Sequence, residues 1–332
     1  METARCEGRA VGTGFAIDDH RIVTAAHVID GAVAVTVQGD GFVATAEVIG
    51  ANRDRDVAVL WVDHSFETTL SLGQGRPGLG AEVTLLGFPD AETTLQASRG
   101  IVSGTDGEVR YDDGVELSGL IATDASINGG NSGGPALAAD DTVMGLVTGK
   151  QVWLVGDVPA EGRGFLIPSD QLMSMTRQWT TRAHLLPAAC DGSQTGSVIP
   201  FPVTVETADP VVIDLTRTLA LFGQAISSGD YRSAWQFYSP AAQVNLGDLS
   251  SWQAGLQTST WASLDVTSGG AGNDSAGVDA RIRTYQDSAF GPQGQSCTDW
   301  HLGYSLSPAA GGGGWLIDKA VNLGDSPKPC DA

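Results

Sequence analysis

Short apolar runs separated by turn residues dominate the first half of the chain. Runs of this length, alternating or continuous, predict β-strands rather than helices. The strands expected on this basis cover residues 10–17, 32–37, 43–49, 57–62, 81–87, 94–102, 115–123, 135–137, 142–147 and 164–167. A closing helix is expected at 168–182, because Leu172, Met175 and Trp179 are spaced i, i+3, i+7. The pattern therefore predicts an all-β domain over residues 1–185.

The residue composition of the sequence changes after this first domain. Residues 186–210 are predicted to form a linker, since they are rich in proline, glycine and serine, and a single strand at 198–205 is compatible with them. Apolar residues at helical spacing then predict a helix from 211, and they are Ile213, Leu215, Leu219, Phe222 and Ile226. Two shorter helices, 230–238 and 249–256, precede strands expected at 261–267, 276–284, 298–306 and 314–321. Residues 211–332 are thus predicted to be a smaller α+β domain.

The charge of the chain limits the partners that can be expected. The 332 residues carry a formal net charge of −21 at pH 7. Nucleic acids and anionic membrane surfaces are bound by basic patches, so neither is expected as a partner. No apolar run reaches the roughly 20 residues needed to cross a bilayer, and no membrane span is expected.

Four cysteines, Cys6, Cys190, Cys297 and Cys330, allow three pairings. Cys6 and Cys190 lie near the two ends of the first predicted domain, the second of them just inside the linker, and Cys297 and Cys330 lie in the second domain. We therefore expect the pairs Cys6–Cys190 and Cys297–Cys330. The spacing is not that of a zinc site, and we expect neither a metal nor a cofactor. Disulfides form in oxidising compartments, so a secreted or extracytoplasmic location is expected, with the export or anchor segment absent from this sequence.

A glycine-rich stretch around Ser132 contains the strongest candidate chemistry. Ser132 follows Asn131 and lies between two pairs of glycines, 129–130 and 133–134. Glycines permit the tight turn that can aim the N–H groups of residues 130–132, chiefly Gly130 and Ser132, at a developing oxyanion. A plain surface turn has the same composition, so the stretch alone does not decide between the two.

Two upstream residues complete a possible nucleophile–base–acid set. His27 follows a short apolar run within the segment Thr-Ala-Ala-His, and Asp56 directly precedes the apolar run 57–62. The order His, Asp, Ser along the chain is one of the known orders of the catalytic triad. Asp54 is the alternative acid, but its greater distance from the apolar run favours a solvated side chain. Capping or packing is the alternative role for His27.

These motifs together resemble the trypsin-like peptidases, and in particular their HtrA/Deg branch. The motifs shared with the wider group lie at 12–15, 24–27, 55–60 and 130–135, and those typical of the branch lie at 87–89, 98–103, 123–128 and 164–169. The resemblance covers roughly residues 8 to 175. It implies a chymotrypsin-like double β-barrel and a serine endopeptidase in which His27, Asp56 and Ser132 act through an acyl-enzyme on a protein or peptide substrate.

The resemblance also suggests how a substrate would bind. It places Ser126 on the wall of the specificity pocket, and it places Thr148, Gly149 and Lys150 on the strand that pairs with the substrate backbone. Lys150 is equally compatible with a solvated surface position. No acid lies where a pocket for arginine or lysine would need one, so we expect a small or medium apolar side chain before the cleaved bond.

The second domain resembles the nuclear-transport-factor-like (SnoaL-type) cone-shaped fold, on the evidence of a Gly-Asp-Tyr-x-x-Ala-Trp turn at 229–235 and a closing strand at 315–317. Asp299 and His301 alternate along one predicted strand and share a face, which indicates a pocket or merely a polar strand surface. Nothing in this region resembles a PDZ domain. We expect the second domain to bind a ligand or regulatory partner and to localise or regulate the peptidase. The alternative is a protease-like scaffold that acts through this domain alone.

Overall fold

A computed structural model describes residues 1–6, 8–89, 94–111, 114–150, 153–154, 158–159, 163–180, 199–272, 275–310 and 314–330. The elements before residue 200 are β1 Glu2–Arg5, β2 Gly8–Val11, β3 Phe15–Ala16, β4 Arg21–Thr24, α1 Ala26–Ile29, β5 Ala32–Gly39, β6 Phe42–Asn52, β7 Val57–Val62, β8 Glu82–Gly87, β9 Gln96–Arg110, β10 Glu116–Thr123, β11 Pro135–Leu137, β12 Val143–Lys150, β13 Trp153–Leu154, β14 Val158–Pro159, β15 Gly164–Pro168 and α2 Ser169–Thr176.

The elements after residue 200 are β16 Val203–Val205, α3 Pro210–Ser227, α4 Tyr231–Trp235, α5 Pro240–Leu246, α6 Leu249–Ala254, β17 Thr260–Ala271, β18 Ala276–Tyr285, β19 Cys297–Pro308, β20 Trp315–Asn322 and β21 Lys328–Pro329. No helix in the described part of the chain is both long enough and apolar enough to cross a bilayer.

The chain forms two compact units whose boundaries differ from the predicted domains. The first contains residue 1, residues 10–30 and the described part of 48–185. The second contains residues 2–9 and 31–47 together with the described part of 186–332. Two segments predicted to belong to the first domain, 2–9 and 31–47, thus group with the C-terminal half. Most of the predicted linker, 186–198, lies outside the described residues.

The first unit contains β3, β4 and β7, which lie at one end of a seven-stranded sheet, and a closed barrel. In this part of the sheet β4 pairs antiparallel with both β3 and β7, so that Val23 lies opposite Phe15 and Val59. Six strands close the barrel in the order β10, β15, β12, β11, β8, β9. Val57 and Leu146 are among the fully buried residues of this unit. The continuous apolar run 57–62 is buried except at the half-buried Trp61, in agreement with its pattern.

Strand burial explains why residues 31–47 belong to the second unit. The first six residues of β5 are all buried, whereas a strand with one solvated face would alternate. Val33 and Ala34 join a core that also contains Leu219 and Phe222 of α3. The fully buried Gln224 links α3 to β5, because its Oε1 accepts a hydrogen bond from the Val35 N–H at 3.0 Å. The strand predicted at 32–37 is therefore present as β5, and all six of these residues are buried.

A buried charge network joins the chain's first strand to the same helix. Arg217 of α3 forms one ion pair with Glu2, at 2.7 Å, and a second with Asp214. Arg9 lies 3.5 Å from Glu2, and its guanidinium stacks 4.2 Å from the ring centre of Phe237. Burial lowers the pKa of Arg9 from its ordinary value, against the opposing effect of Glu2. Polar partners thus compensate for charges that the core of the second unit encloses.

The C-terminal part of the second unit follows the predicted order of helices and then strands. β17 to β20 form an antiparallel sheet, and β16 adds to β17 in parallel. Helix α5 was not predicted, because its seven residues offer too short an apolar period. The expected Cys297–Cys330 disulfide is present and lies where β21 pairs with β19. Cys6 is also disulfide-bonded, and its expected partner Cys190 lies outside the described residues.

Candidate active site

The first unit brings His27 and Asp56 into direct contact. β4 ends at Thr24, and His27 occupies the short helix α1 that follows it, while Asp56 immediately precedes β7. The imidazole Nδ1 lies 2.8 Å from Asp56 Oδ2 and 3.0 Å from Oδ1. The main-chain N–H of His27 donates to the same carboxylate at 2.8 Å. The carboxylate therefore fixes both the backbone and the ring of His27.

Asp56 is fully buried, and its backbone adopts a positive φ of 54°. A non-glycine residue in this region is uncommon, although Asp tolerates it better than most. Among the described residues, a hydroxyl and a guanidinium also lie near the carboxylate. Thr148 Oγ1 donates to Oδ2 at 2.5 Å, and Arg53 Nη1 lies 3.6 Å from Oδ1. The rival acid Asp54 is exposed, so the structure pairs His27 with the acid that the sequence favoured.

Tyr111 extends this set of contacts and was not predicted from the sequence. Its hydroxyl lies 2.5 Å from Thr148 Oγ1, so the threonine hydroxyl links the tyrosine to Asp56. The Tyr111 ring also lies 5.9 Å from the His27 ring and 5.5 Å from the Arg53 guanidinium. Among these neighbours of Asp56, only Arg53 could have been predicted from the sequence. It lies three positions before Asp56, and one turn of the chain brings its side chain to the carboxylate.

Close packing of glycines positions Ser132 beside the His27 segment. A Cβ on Gly133 would lie 2.2 Å from the Thr13 carbonyl oxygen and 2.3 Å from Thr24 Oγ1, so only glycine fits. Gly133 also has a φ of 86°, which side chains disfavour. The Ser132 carbonyl accepts the Thr13 N–H at 2.8 Å. The loop is thereby held against the end of β4, which leads into α1.

The main-chain N–H groups of the Ser132 loop fall into two classes. Those of Asn131 and Gly133 donate to the oxygens of Asn128 and Val147, at 3.1 and 2.7 Å. Those of Gly130 and Ser132 have no acceptor among the residues that the structure describes. Asn131 was predicted to line an oxyanion hole with the other two, but its N–H is used within the turn. Its buried side chain instead lies beside Gly87, where a Cβ would come within 2.6 Å of Oδ1.

The Ser132 hydroxyl contacts the same group of residues through Thr148. Its Oγ donates to the main-chain oxygen of Thr148 at 3.5 Å. Thr148 therefore contacts Ser132 through its backbone and Asp56 through its side chain. All three predicted triad residues thus lie within one cluster of contacts in the first unit.

The residues predicted to bind substrate occupy different environments. Ser126 is exposed, and its carbonyl accepts a hydrogen bond from Ser98 at 2.8 Å. Thr148 is buried, and a Cβ on Gly149 would lie 3.2 Å from the Tyr111 hydroxyl. Gly149 and Lys150 pair with β15, whereas β11 pairs with β12 only as far as Leu146. The second edge of 148–150 therefore extends beyond β11.

The part of the chain that contains these residues is similar to known peptidases. Residues 12–146 match the family model of the trypsin-like peptidase domain. The chain is 36% identical over 175 residues, 52% of its length, to the probable periplasmic serine endoprotease DegP-like of Halomonas elongata, covering 35% of that relative. It is 28% identical over 231 residues, 68% of its length, to the serine protease Do-like HtrA of Bacillus subtilis, covering 48% of it. The chain thus spans less than half of both relatives.

Among solved structures, the active form of the Rv3671c protease from M. tuberculosis aligns with a TM-score of 0.48 at 24% identity, over 54% of this chain and 79% of that one. The sheet and barrel of the first unit fit the mostly β, chymotrypsin-like fold predicted from the sequence. Residues 12–146, which hold His27, Asp56 and Ser132, are therefore similar to trypsin-like peptidase domains.

Proposed function

We propose that the chain is a serine endopeptidase whose catalytic triad is His27, Asp56 and Ser132. The observation that carries this proposal is the buried Asp56 carboxylate bound to both the ring and the backbone of His27, within the cluster that includes Ser132. A plain structural histidine does not need an enclosed acid on Nδ1. That contact leaves Nε2 as the basic atom of the neutral imidazole.

The reaction follows from these positions. The Ser132 hydroxyl turns from the Thr148 carbonyl towards His27, loses its proton to Nε2 and attacks the scissile carbonyl carbon. The N–H groups of Gly130 and Ser132 stabilise the oxyanion. His27 gives its proton to the leaving amine as the peptide bond breaks, which leaves an acyl-enzyme. Water then loses a proton to His27 and attacks the ester, and the carboxylic acid product leaves as Ser132 regains its proton.

Substrate binding is proposed along the edge of β12. The substrate backbone adds to residues 148–150 on the edge that β11 leaves uncovered, which is the mode of strand addition. Ser126 borders the pocket for the side chain before the cleaved bond, and we retain the expectation of a small or medium apolar side chain there.

We also propose that the second unit regulates or localises the peptidase. The support is the set of segments that make up this unit. Two of them, 2–9 and 31–47, lie directly before and after the stretch of chain that contains His27. β5 begins three residues after α1 ends and packs with α3 in the core of the second unit. The nuclear-transport-factor-like fold remains our proposal for the C-terminal part, supported by four helices that precede an antiparallel sheet.

An extracytoplasmic location is proposed from two observations. The Cys297–Cys330 disulfide is typical of proteins in oxidising compartments. The relative from Halomonas elongata is named as periplasmic.

Digestion of unfolded casein by the purified chain tests the endopeptidase proposal. Casein should be cut at internal bonds, and Ser132→Ala should reduce the rate to background. Asp56→Asn should reduce it by about 10³–10⁴-fold, because the imidazole loses its orienting carboxylate. Ser174→Ala is the matched control, since Ser174 is an exposed serine of α2. Equal rates for the Ser132 and Ser174 variants would overturn the proposal.

A further inference from the structure

A second candidate site lies within the C-terminal sheet, on the face opposite the core. Leu264 of β17 and Ile282 of β18 point into the core, so their neighbours along each strand point away from it. These outward residues border a groove of about 520 Å³. This volume lies within the range of small-molecule sites.

Cross-strand pairing defines which charges meet in the groove. Arg283 lies opposite Asp299, and the two form a bidentate ion pair at 2.7 and 2.8 Å. The hydrogen bonds from Arg283 hold the pKa of Asp299 below its ordinary value. In the neighbouring row Arg281 lies between Asp265 on β17 and His301 on β19. The first row is therefore internally neutralised, and Lys328 at the border of the groove is paired with Asp325 at 3.4 Å. The second row contains the remaining charged groups that face the groove.

Arg281 is the unusual member of the second row. It lies directly opposite Asp265, where side chains of adjacent strands are about 4.5–5.5 Å apart at Cβ. Within the described residues, no ion pair joins the two, and Asp265 instead accepts a hydrogen bond from Thr204. An exposed guanidinium and a half-buried carboxylate thus face one groove side by side, with no ion pair between them among the described contacts.

Hydrogen bonds and a disulfide hold one wall of the groove against β19. The segment 323–329 borders it, and this segment is tied to β19 at both ends. The Leu323 N–H donates to the His301 carbonyl at 2.8 Å, and the His301 N–H donates to Ser326 Oγ at 2.7 Å. The disulfide from Cys330 to Cys297 closes the far end. Such a wall keeps the groove in shape without a ligand.

We propose that this groove binds a small zwitterion of the class of amino acids and short peptides. The ligand carboxylate binds Arg281, with His301 beside it, and the ligand ammonium binds Asp265. A doubly charged anion fits less well, because the three carboxylates of Asp265, Asp299 and Asp325 balance the three cations of Arg281, Arg283 and Lys328 that border the groove. The proposal does not depend on the peptidase activity and is tested separately from it.

Isothermal titration calorimetry of the full chain tests the proposal, in the Ser132→Ala background so that no peptide is cut. Triglycine with free termini is the probe, and its C-terminal amide, its N-acetyl form and sodium acetate are the comparison ligands. Triglycine should bind, and loss of either ligand charge should weaken binding. Arg281→Gln should raise the dissociation constant about tenfold or more, since a charge-assisted hydrogen bond is lost. Asp265→Asn should weaken triglycine but not its N-acetyl form.

Arg232→Gln is the control, because Arg232 is exposed on α4 and does not border the groove. No binding of triglycine at millimolar concentration would overturn the proposal. Equal affinities of the Arg281 and Arg232 variants would also overturn it. Acetate that binds as tightly as triglycine would reduce the groove to a simple anion site and contradict the assignment to Asp265.

Discussion

Replacement of Thr148 by valine tests the idea that Asp56 is held in place to orient His27. Valine has nearly the same shape as threonine but lacks the hydroxyl. Asp56 Oδ2 would lose the donor at 2.5 Å, and the Tyr111 hydroxyl would lose the same partner. The two N–H contacts from His27 would remain. The change therefore removes one of the hydrogen bonds to a fully buried carboxylate and leaves the ion pair with the imidazole.

The expected size of the effect follows from that single bond. A hydrogen bond to a charged group contributes about 1.5–3 kcal/mol. Each 1.36 kcal/mol of lost transition-state stabilisation lowers a rate about tenfold. Hydrolysis of an internally quenched peptide by Thr148→Val should therefore show kcat lower by about 10- to 150-fold. KM should change little, because the side-chain hydroxyl faces Asp56 rather than the substrate edge.

Two variants separate this effect from general loss of stability. Tyr111→Phe keeps the bond from Thr148 to Asp56 and should lower kcat less than Thr148→Val does. Thr84→Val makes the same chemical change on β8 of the barrel, where no side-chain contact with the triad exists within the described residues, and should leave kcat unchanged. A kcat for Thr148→Val within twofold of the wild type would refute the reasoning.

Three further predictions concern packing and pH. Gln224→Leu should lower the free energy of unfolding by about 1–3 kcal/mol in urea titrations, because the buried Val35 N–H loses its acceptor; an unchanged midpoint would contradict this. Gly133→Ala should abolish activity, since a Cβ there would overlap the backbone; activity near wild type would show that the loop can shift. Burial raises the pKa of Tyr238 to about 12 from 10.0. The neutral phenol's contribution to the free energy of unfolding is therefore fully present below pH 10, and it is lost as the pH rises towards 12. Circular dichroism should show alkaline unfolding in that window, reduced by Tyr238→Phe but not by Tyr285→Phe at an exposed position.

Local sequence patterns predicted the elements of this protein better than their assembly. The run 57–62 became β7 with the predicted bounds, and 135–137 became β11. Both are short apolar runs between turn signals, so local physics determines them. The assignment of 31–47 to the second unit depends on Gln224 and the apolar face of α3, nearly 200 positions away in the chain. Such packing of distant segments leaves no local signal.

In the candidate site too, residues within local motifs were predicted and residues brought in by the fold were not. His27, Asp56 and Ser132 were predicted because each lies in a short motif. Tyr111 was missed, because a lone tyrosine at the end of a long strand carries no motif, and only the fold brings it to Thr148. Asn131 was predicted to offer its N–H to an oxyanion, but the turn uses this group internally. Backbone hydrogen bonding within a glycine-rich turn depends on its φ angles, which composition does not specify.

Labelling of the chain by a fluorophosphonate probe is the most direct test of the central claim, because the probe reacts only with a serine that a neighbouring base has activated. The account predicts one phosphonyl group per chain, located at Ser132 by peptide mass spectrometry. It also predicts that His27→Ala abolishes labelling while Ser132 remains in place. Labelling at another serine, or unchanged labelling of His27→Ala, would contradict the triad proposed here.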